Sequence, residues 1–210
     1  RSTGIDTVSG GAAGSGIEWT PNMMPDGLTA RIHWSPNAAG GASNDKSSSG
    51  GSATQGASYD VTLEATDAIH GMAGLTVYGG LSDVSSEGLN NDGDREETTV
   101  GVTYAMGGFT LGYQWSEEDL GASSNEQQYD NEGYGITFAV NDDLSVGYNH
   151  YESDQDNATD VVTTAESVQI AYTMGGASIR LAEADVDNAK YQTASAYDRD
   201  ATTLSVSLAF

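Results

Sequence analysis

The chain has 210 residues, of which 31 are acidic and only 7 are Lys or Arg, so its formal net charge at pH 7 is −24. This shortage of cationic side chains argues against nucleic acid as a partner, because binding phosphates needs Lys and Arg. The sequence contains no cysteine, which excludes disulfides and thiolate metal sites. The acidic excess fits either a solvated surface or loops that face a saline exterior rich in divalent cations.

No run of the sequence approaches the roughly 20 apolar residues that a transmembrane helix needs. Taken in chain order, period-2 alternation instead predicts eleven β-strands. These are residues 14–20, 28–34, 59–65, 75–81, 98–106, 109–115, 134–140, 144–151, 166–174, 177–183 and 201–210. The last strand carries Leu204, Val206, Leu208 and Phe210 on one face and small or hydroxylated residues on the other.

In the longer strands one face is apolar and carries no charge, as in Leu28-x-Ala30-x-Ile32-x-Trp34. The opposite face is polar and carries Arg31, His33, Asp60, Thr62, Glu64, Thr103, Gln114, Thr137, Asn149, Gln169 and Arg180. A soluble β-sandwich alternates in the same way. A membrane barrel is favoured over it because charge on a lipid-facing surface is costly and because the aromatic residues gather toward the strand ends.

The predicted connections alternate in length. Short turns at 21–27, 66–74, 107–108, 141–143 and 175–176 alternate with long acidic loops at 35–58, 82–97, 116–133, 152–165 and 184–200. Bacterial barrels place short turns at the periplasmic rim and long loops at the extracellular rim. The pattern therefore predicts an all-β, antiparallel transmembrane β-barrel.

Two of the short turns are near-copies, since Val102-Thr-Tyr-Ala-Met-Gly-Gly-Phe109 matches Ile170-Ala-Tyr-Thr-Met-Gly-Gly-Ala177. With these hairpins, the alternating loops and a last strand that ends on Phe210, the chain resembles the carboxy-terminal two-thirds of a trimeric, sixteen-stranded general porin of the Gram-negative outer membrane. The resemblance implies a homotrimer in contact with the lipid bilayer and lipopolysaccharide. It also implies that Phe210 is the signal for the barrel-assembly machinery.

Eleven strands are an odd number, whereas single-chain bacterial barrels have an even number. The resemblance implies that five strands precede this sequence; a strand missed in the count is the alternative. Residues 1–16 would then belong to the inward loop that constricts the pore, with Asp6 as an acid in the constriction. Residues 17–210 would form a single barrel domain.

The small, polar interior face predicts an open, water-filled lumen that passes small hydrophilic solutes and ions by passive diffusion, with no cofactor and no catalysis. The predicted pore-lining residues are Asp6, Arg31, His33, Asp60, Glu64, Gln114, Asn149, Gln169 and Arg180. Some of these charges could instead brace the wall as salt bridges. The acidic excess predicts a weak cation preference. The alternative function is a structural or adhesive barrel with a plugged lumen.

Two acidic clusters make Ca²⁺ a candidate ligand of the loops, because Ca²⁺ prefers several oxygen ligands. One contains Asp92, Asp94, Glu96 and Glu97, and the other contains Asp154, Asp156 and Asp160. Neither has the spacing of an EF-hand, and plain solvated loops are the favoured explanation of both clusters. The resemblance implies that such an ion could bridge the loops to lipopolysaccharide phosphates. The histidines His33, His70 and His150 lack a nucleophile at a recognisable spacing, so no enzyme is predicted.

Overall fold

The computed structural model describes residues 16–36, 55–86, 93–121, 128–156 and 160–208. They form one eleven-stranded antiparallel sheet in which every strand pairs with its neighbours in sequence. The strands are β1 (Ile17–Trp19), β2 (Leu28–Ser35), β3 (Gln55–Ala65), β4 (Leu75–Ser86), β5 (Arg95–Met106), β6 (Phe109–Asp119), β7 (Gln128–Ala139), β8 (Leu144–Asp156), β9 (Val161–Met174), β10 (Ala177–Asp187) and β11 (Arg199–Leu208). The sheet is an open meander, with β1 and β11 at its two edges.

The register places the apolar residues of neighbouring strands on one face. Ala30 pairs with Leu63, and Ile32 pairs with Val61. Farther along the sheet, Leu111 pairs with Ile136. Directly paired residues lie on the same side of a sheet, so the apolar residues of β2 to β11 form one continuous surface. The faces predicted from the sequence are therefore confirmed strand by strand.

The two Gly-Gly hairpins also form as predicted. Gly107 and Gly175 have φ angles of 60° and 57°, and a side chain at either position would strain this left-handed backbone. The predicted turn at 66–74 is more structured than expected, because it contains the short helix α1 (Asp67–His70). Gly71, with φ of 76°, ends this helix. Among the described residues no helix is long and apolar enough to cross a membrane.

The strands reach farther toward the extracellular side than predicted, and the long loops are correspondingly shorter. For example, β8 continues to Asp156 and β9 begins at Val161, inside the predicted loop 152–165. The sequence missed these extensions because both faces of the strands are polar there, which removes the apolar alternation that marks a strand. The first strand is shorter than predicted, whereas β11 begins two residues earlier. Asp6, Asp92 and Phe210 lie outside the described residues.

Candidate pore wall

The apolar face is exposed rather than packed into a core. Leu63, Val168 and Leu204 are 49%, 55% and 67% exposed. Among the described residues, only Ala30, Val84, Tyr129, Ala189 and Tyr191 are buried hydrophobic residues. A water-soluble sandwich would cover its apolar face with a second sheet, whereas an uncovered face of this extent needs a lipid solvent. The geometry therefore favours the membrane barrel over the sandwich.

A belt of carboxylates lies on this same outer face, beyond the apolar and aromatic residues on the extracellular side. It consists of Asp83, Glu96, Glu117, Asp119, Asp130, Glu132, Glu152, Asp154, Asp156, Glu166, Glu183, Asp185, Asp187 and Asp200. We call this set the carboxylate belt. Most of these acids were predicted in loops. In the structure they project from the outside of the wall, away from the polar face.

Two aspartates of the carboxylate belt show how crowded it is. Partial loss of hydration, together with the carboxylates of Asp160, Asp130 and Asp156, raises the pKa of Asp154. Partial loss of hydration and four neighbouring carboxylates, of which Asp187 acts most strongly, raise the pKa of Asp185. Because the folded state holds these protons more tightly than the unfolded state, the two sites destabilise the fold at neutral pH. That cost is relieved as the pH falls below the raised pKa values.

The candidate calcium ligands are only partly brought together. Glu96 belongs to the carboxylate belt, but Glu97 is on the opposite face, so the two cannot share an ion. Asp154 and Asp156 both lie on the belt, with Asp160 close by. Within the described ranges no group of three or more His, Asp or Glu side chains has a geometry that could hold a metal ion. Calcium binding remains a prediction.

The register places every described residue of the predicted pore lining on the polar face. His33 Nδ1 lies 2.9 Å from Asp60 Oδ2 across β2 and β3, so these two side chains form a pair that braces the wall. Arg31, Glu64 and Arg180 are exposed on the same face.

The amides of the predicted lining bind neighbouring wall residues. Gln114 Oε1 accepts a hydrogen bond of 3.0 Å from the Tyr78 hydroxyl. Asn149 Nδ2 and Gln169 Nε2 both donate to Ser167 Oγ, at 3.5 and 3.3 Å. These three amides are thus held by neutral neighbouring side chains of the polar face.

Sequence reasoning missed a buried charged cluster on the polar face. Arg95 contacts Glu97 on its own strand, and its Nη2 lies 2.5 Å from Glu118 Oε1 on β6. The side chains of Arg95, Glu97 and Glu118 are 7%, 3% and 0% exposed. The prediction placed all three residues in loops. A sequence signal for two of them was present. Arg95 and Glu97 fall on every second residue in line with Thr99 and Thr103, which is the spacing of one face of a strand.

The polar face is nearly balanced in charge, in contrast to the carboxylate belt. On the described strands it carries the arginines Arg31, Arg95, Arg180 and Arg199 and the carboxylates Glu18, Asp60, Glu64, Glu97 and Glu118. On these described strands the negative charge is therefore concentrated on the outer face of the sheet and not on its polar face.

Glycines allow bulky side chains to lie flat against the polar face. A β-carbon placed on Gly101 would overlap the ring of Tyr78, lying 2.6 Å from Cε2. One placed on Gly133 would lie 2.8 Å from Tyr151 Cδ2. These tyrosines cross directly over the backbone of the neighbouring strand, as they can only when that strand has no side chain there. Because the rings lie flat against the backbone, they project less from the polar face, and the space beside that face is wider.

We expect Gly101→Ala to lift the Tyr78 ring away from the wall, to break its hydrogen bond to Gln114, and to lower ion conductance. Gly112→Ala is the matched control, because a β-carbon there meets only Thr103 Cγ2 at 4.0 Å. Conductance in planar bilayers measures the effect, and Tyr78→Ala added to Gly101→Ala should restore it. Equal conductance of the Gly101 and Gly112 variants would contradict this account.

The sheet has an exposed apolar face bordered by aromatic residues, and its opposite face is polar and hydrogen-bonded. This combination defines the wall of a transmembrane β-barrel. The model of the Gram-negative porin family matches residues 1–176, and the chain belongs to that family. It is thus an outer-membrane protein, and this family and fold are those of channels rather than of an enzyme class. No curated protein sequence matches the chain.

Solved structures agree on the fold. A porin refined at 1.8 Å resolution is 16% identical, with a TM-score of 0.63 over 92% of this chain and 60% of its own. The anion-selective porin of Comamonas acidovorans is 15% identical, with a TM-score of 0.67 over 93% of this chain and 59% of its own. OmpT of Vibrio cholerae is 14% identical, with a TM-score of 0.61 over 91% and 62%. The chain thus spans about three-fifths of the length of these three proteins.

Proposed function

We propose that this chain forms the larger part of the wall of a water-filled outer-membrane pore, through which small hydrophilic solutes and ions diffuse passively. The observation that carries the proposal is the pairing of an exposed apolar face with a polar face kept thin by glycines. Membership of the porin family and the fold shared with two solved porins and with OmpT support it. The transport step needs no reaction, because solutes move down their own gradients.

We further propose that the pore works as a homotrimer in contact with lipopolysaccharide, as the family resemblance implies. The intact porin, extracted in mild detergent and inserted in a planar bilayer, should show large, stable increases in conductance. Each increase should be lost in three equal steps, as the three channels of one trimer close. Loss of each conductance increase in a single step would contradict the trimer. Silence from folded, inserted protein would contradict the open pore and favour a structural or adhesive barrel with a plugged lumen.

The cation preference of this pore should be weak and dependent on salt. Only one carboxylate in excess of the arginines faces the lumen on the described strands, and the carboxylate belt acts from outside the wall. The Debye length falls from about 10 Å at 0.1 M salt to about 3 Å at 1 M, so the influence of the belt should fade across this range.

In the same bilayers, the zero-current potential in a salt gradient should indicate a slight preference for cations at low salt and almost none at high salt. Glu64→Gln should reduce the preference, because Glu64 faces the lumen. Glu183→Gln, which removes an acid from the outer face, is its matched control and should change it less. An anion preference of the unmodified pore would contradict the proposal.

A further inference from the structure

The connection between β10 and β11, residues 188–198, folds over the polar face instead of projecting into solvent. Two of its residues, Ala189 and Tyr191, are 0% and 6% exposed. They are among the few buried hydrophobic residues of the described chain. A connection that simply extended outward from the rim would leave both side chains in water.

The side chain of Tyr191 makes the contacts that fix the direction of this loop. Its ring centroid lies 5.3 Å from that of Tyr129, and its hydroxyl shares a hydrogen bond of 2.7 Å with Ser153 Oγ. The Tyr191 amide donates to Thr163 Oγ1 at 3.3 Å. Tyr129, Ser153 and Thr163 lie on β7, β8 and β9, and all three are on the polar face. The loop therefore crosses inward over three strands.

A second set of bonds holds the start of the loop to the wall. Thr163 Oγ1 donates to the Asn188 carbonyl at 2.8 Å, and Asn188 Nδ2 donates to the Val162 carbonyl at 3.0 Å. The loop is also closed on itself, because the Asn188 amide donates to Asp198 Oδ1 at 3.2 Å. The Ala189 amide donates to the Tyr197 carbonyl at the same distance. The loop is thus held in place at both its ends and its middle.

The backbone of the loop adopts a conformation that needs this support. Asn188, Lys190 and Tyr191 have φ angles of 53°, 62° and 55°, in the left-handed region that glycine favours. A bulky residue such as tyrosine rarely adopts this conformation, and it persists only where surrounding contacts enforce it. The burial of Tyr191 supplies those contacts, so its side chain and the inward fold of the loop depend on each other.

We propose that residues 188–198 form a fixed constriction at the extracellular mouth of the pore, and that Tyr191 is the positioning residue that holds it over β7 to β9. This constriction sets the upper size of the solutes that pass. The inference rests on the proposed function, because a size limit has meaning only for an open pore. It concerns a different segment from residues 1–16, where the sequence predicts an inward loop.

The position of the loop can be tested without measuring transport. In a cysteine-free background, Ser153→Cys places a nearly isosteric thiol beneath Tyr191, where the native side chain is 0% exposed. A water-soluble thiol reagent should label it slowly. Adding Tyr191→Ala should raise the labelling rate by at least ~100-fold, the effect of losing a buried aromatic side chain and its hydrogen bond. An equal rate in the two proteins would overturn the anchoring role of Tyr191.

The size limit is tested by the swelling of liposomes that contain the intact porin, with sugars of increasing size. Tyr191→Ala should speed the entry of tri- and tetrasaccharides severalfold while changing the entry of a monosaccharide little. Tyr197→Ala is the matched control, because this tyrosine of the same loop is only half-buried and contributes its backbone carbonyl and amide. An unchanged sugar cut-off in Tyr191→Ala, together with faster labelling, would overturn the constriction.

These results separate the inference from the proposed function. If the unmodified protein admits no sugar and carries no current, the proposed pore is wrong, whatever the labelling rates are. If the unmodified protein conducts and the Tyr191 and Tyr197 variants have the same cut-off, the pore stands and the constriction is wrong.

Discussion

Replacing Leu111 with arginine is expected to destabilise the protein folded in a lipid bilayer by about 2–4 kcal/mol, the cost of a cation near the middle of the lipid-facing surface of a barrel. Leu111 is 41% exposed on the apolar face and lies between Tyr104 of β5 and Ile136 of β7. Urea titration of the protein in lipid vesicles, followed by tryptophan fluorescence, measures the loss.

The matched control is one residue away. Thr110 precedes Leu111 on β6, is exposed and projects from the opposite, polar face. Thr110→Arg should therefore change the folding free energy much less than Leu111→Arg, although both variants add the same charge. Equal costs at the two positions would show that the apolar face does not contact lipid, and would contradict the assignment of the faces.

Replacing Arg95 with methionine is expected to destabilise the fold by about 3–5 kcal/mol, because it leaves the buried carboxylates of Glu97 and Glu118 without their cation. The same urea titration measures this loss. Arg180→Met, on the polar face but exposed, is the control and should cost less than about 0.5 kcal/mol.

A triple variant distinguishes the loss of charge balance from the loss of packing. Arg95→Met combined with Glu97→Gln and Glu118→Gln removes all three charges, and should recover most of the stability, because replacing a whole buried ion cluster is often close to neutral. If the triple variant is as unstable as Arg95→Met alone, the cluster stabilises the fold through packing of the arginine side-chain stem and not through charge balance.

The lipid-facing half of the wall could be predicted from the sequence for a physical reason. Lipid excludes charge from one face while the other stays polar, so residues such as Ile32, Leu111 and Val146 alternate visibly with their neighbours. That alternation fixes the register, because a slip of one residue would turn the apolar set to the wrong face. The hairpins at Gly107 and Gly175 were equally visible, since tight turns need positive φ angles.

The extracellular half of the wall was not predicted, because nothing there forces the two faces of a strand to differ. Glu96 and Glu97 look alike in the sequence, yet one projects outward in the carboxylate belt and the other inward to Arg95. Only strand pairing decides between them. This is also why the net charge of the chain was a poor guide to the charge of the polar face.

What the sequence by itself determined is the class of fold, the strands of the described residues, the two faces and the edge of the sheet at which each turn lies. All of these follow from local periodicity and turn chemistry. The tertiary structure decided where the charges and the loops lie. Tyr191 meets Ser153 across 38 residues of chain and Arg95 meets Glu118 across 23, and such contacts leave no periodic trace because they depend on how distant strands are brought side by side.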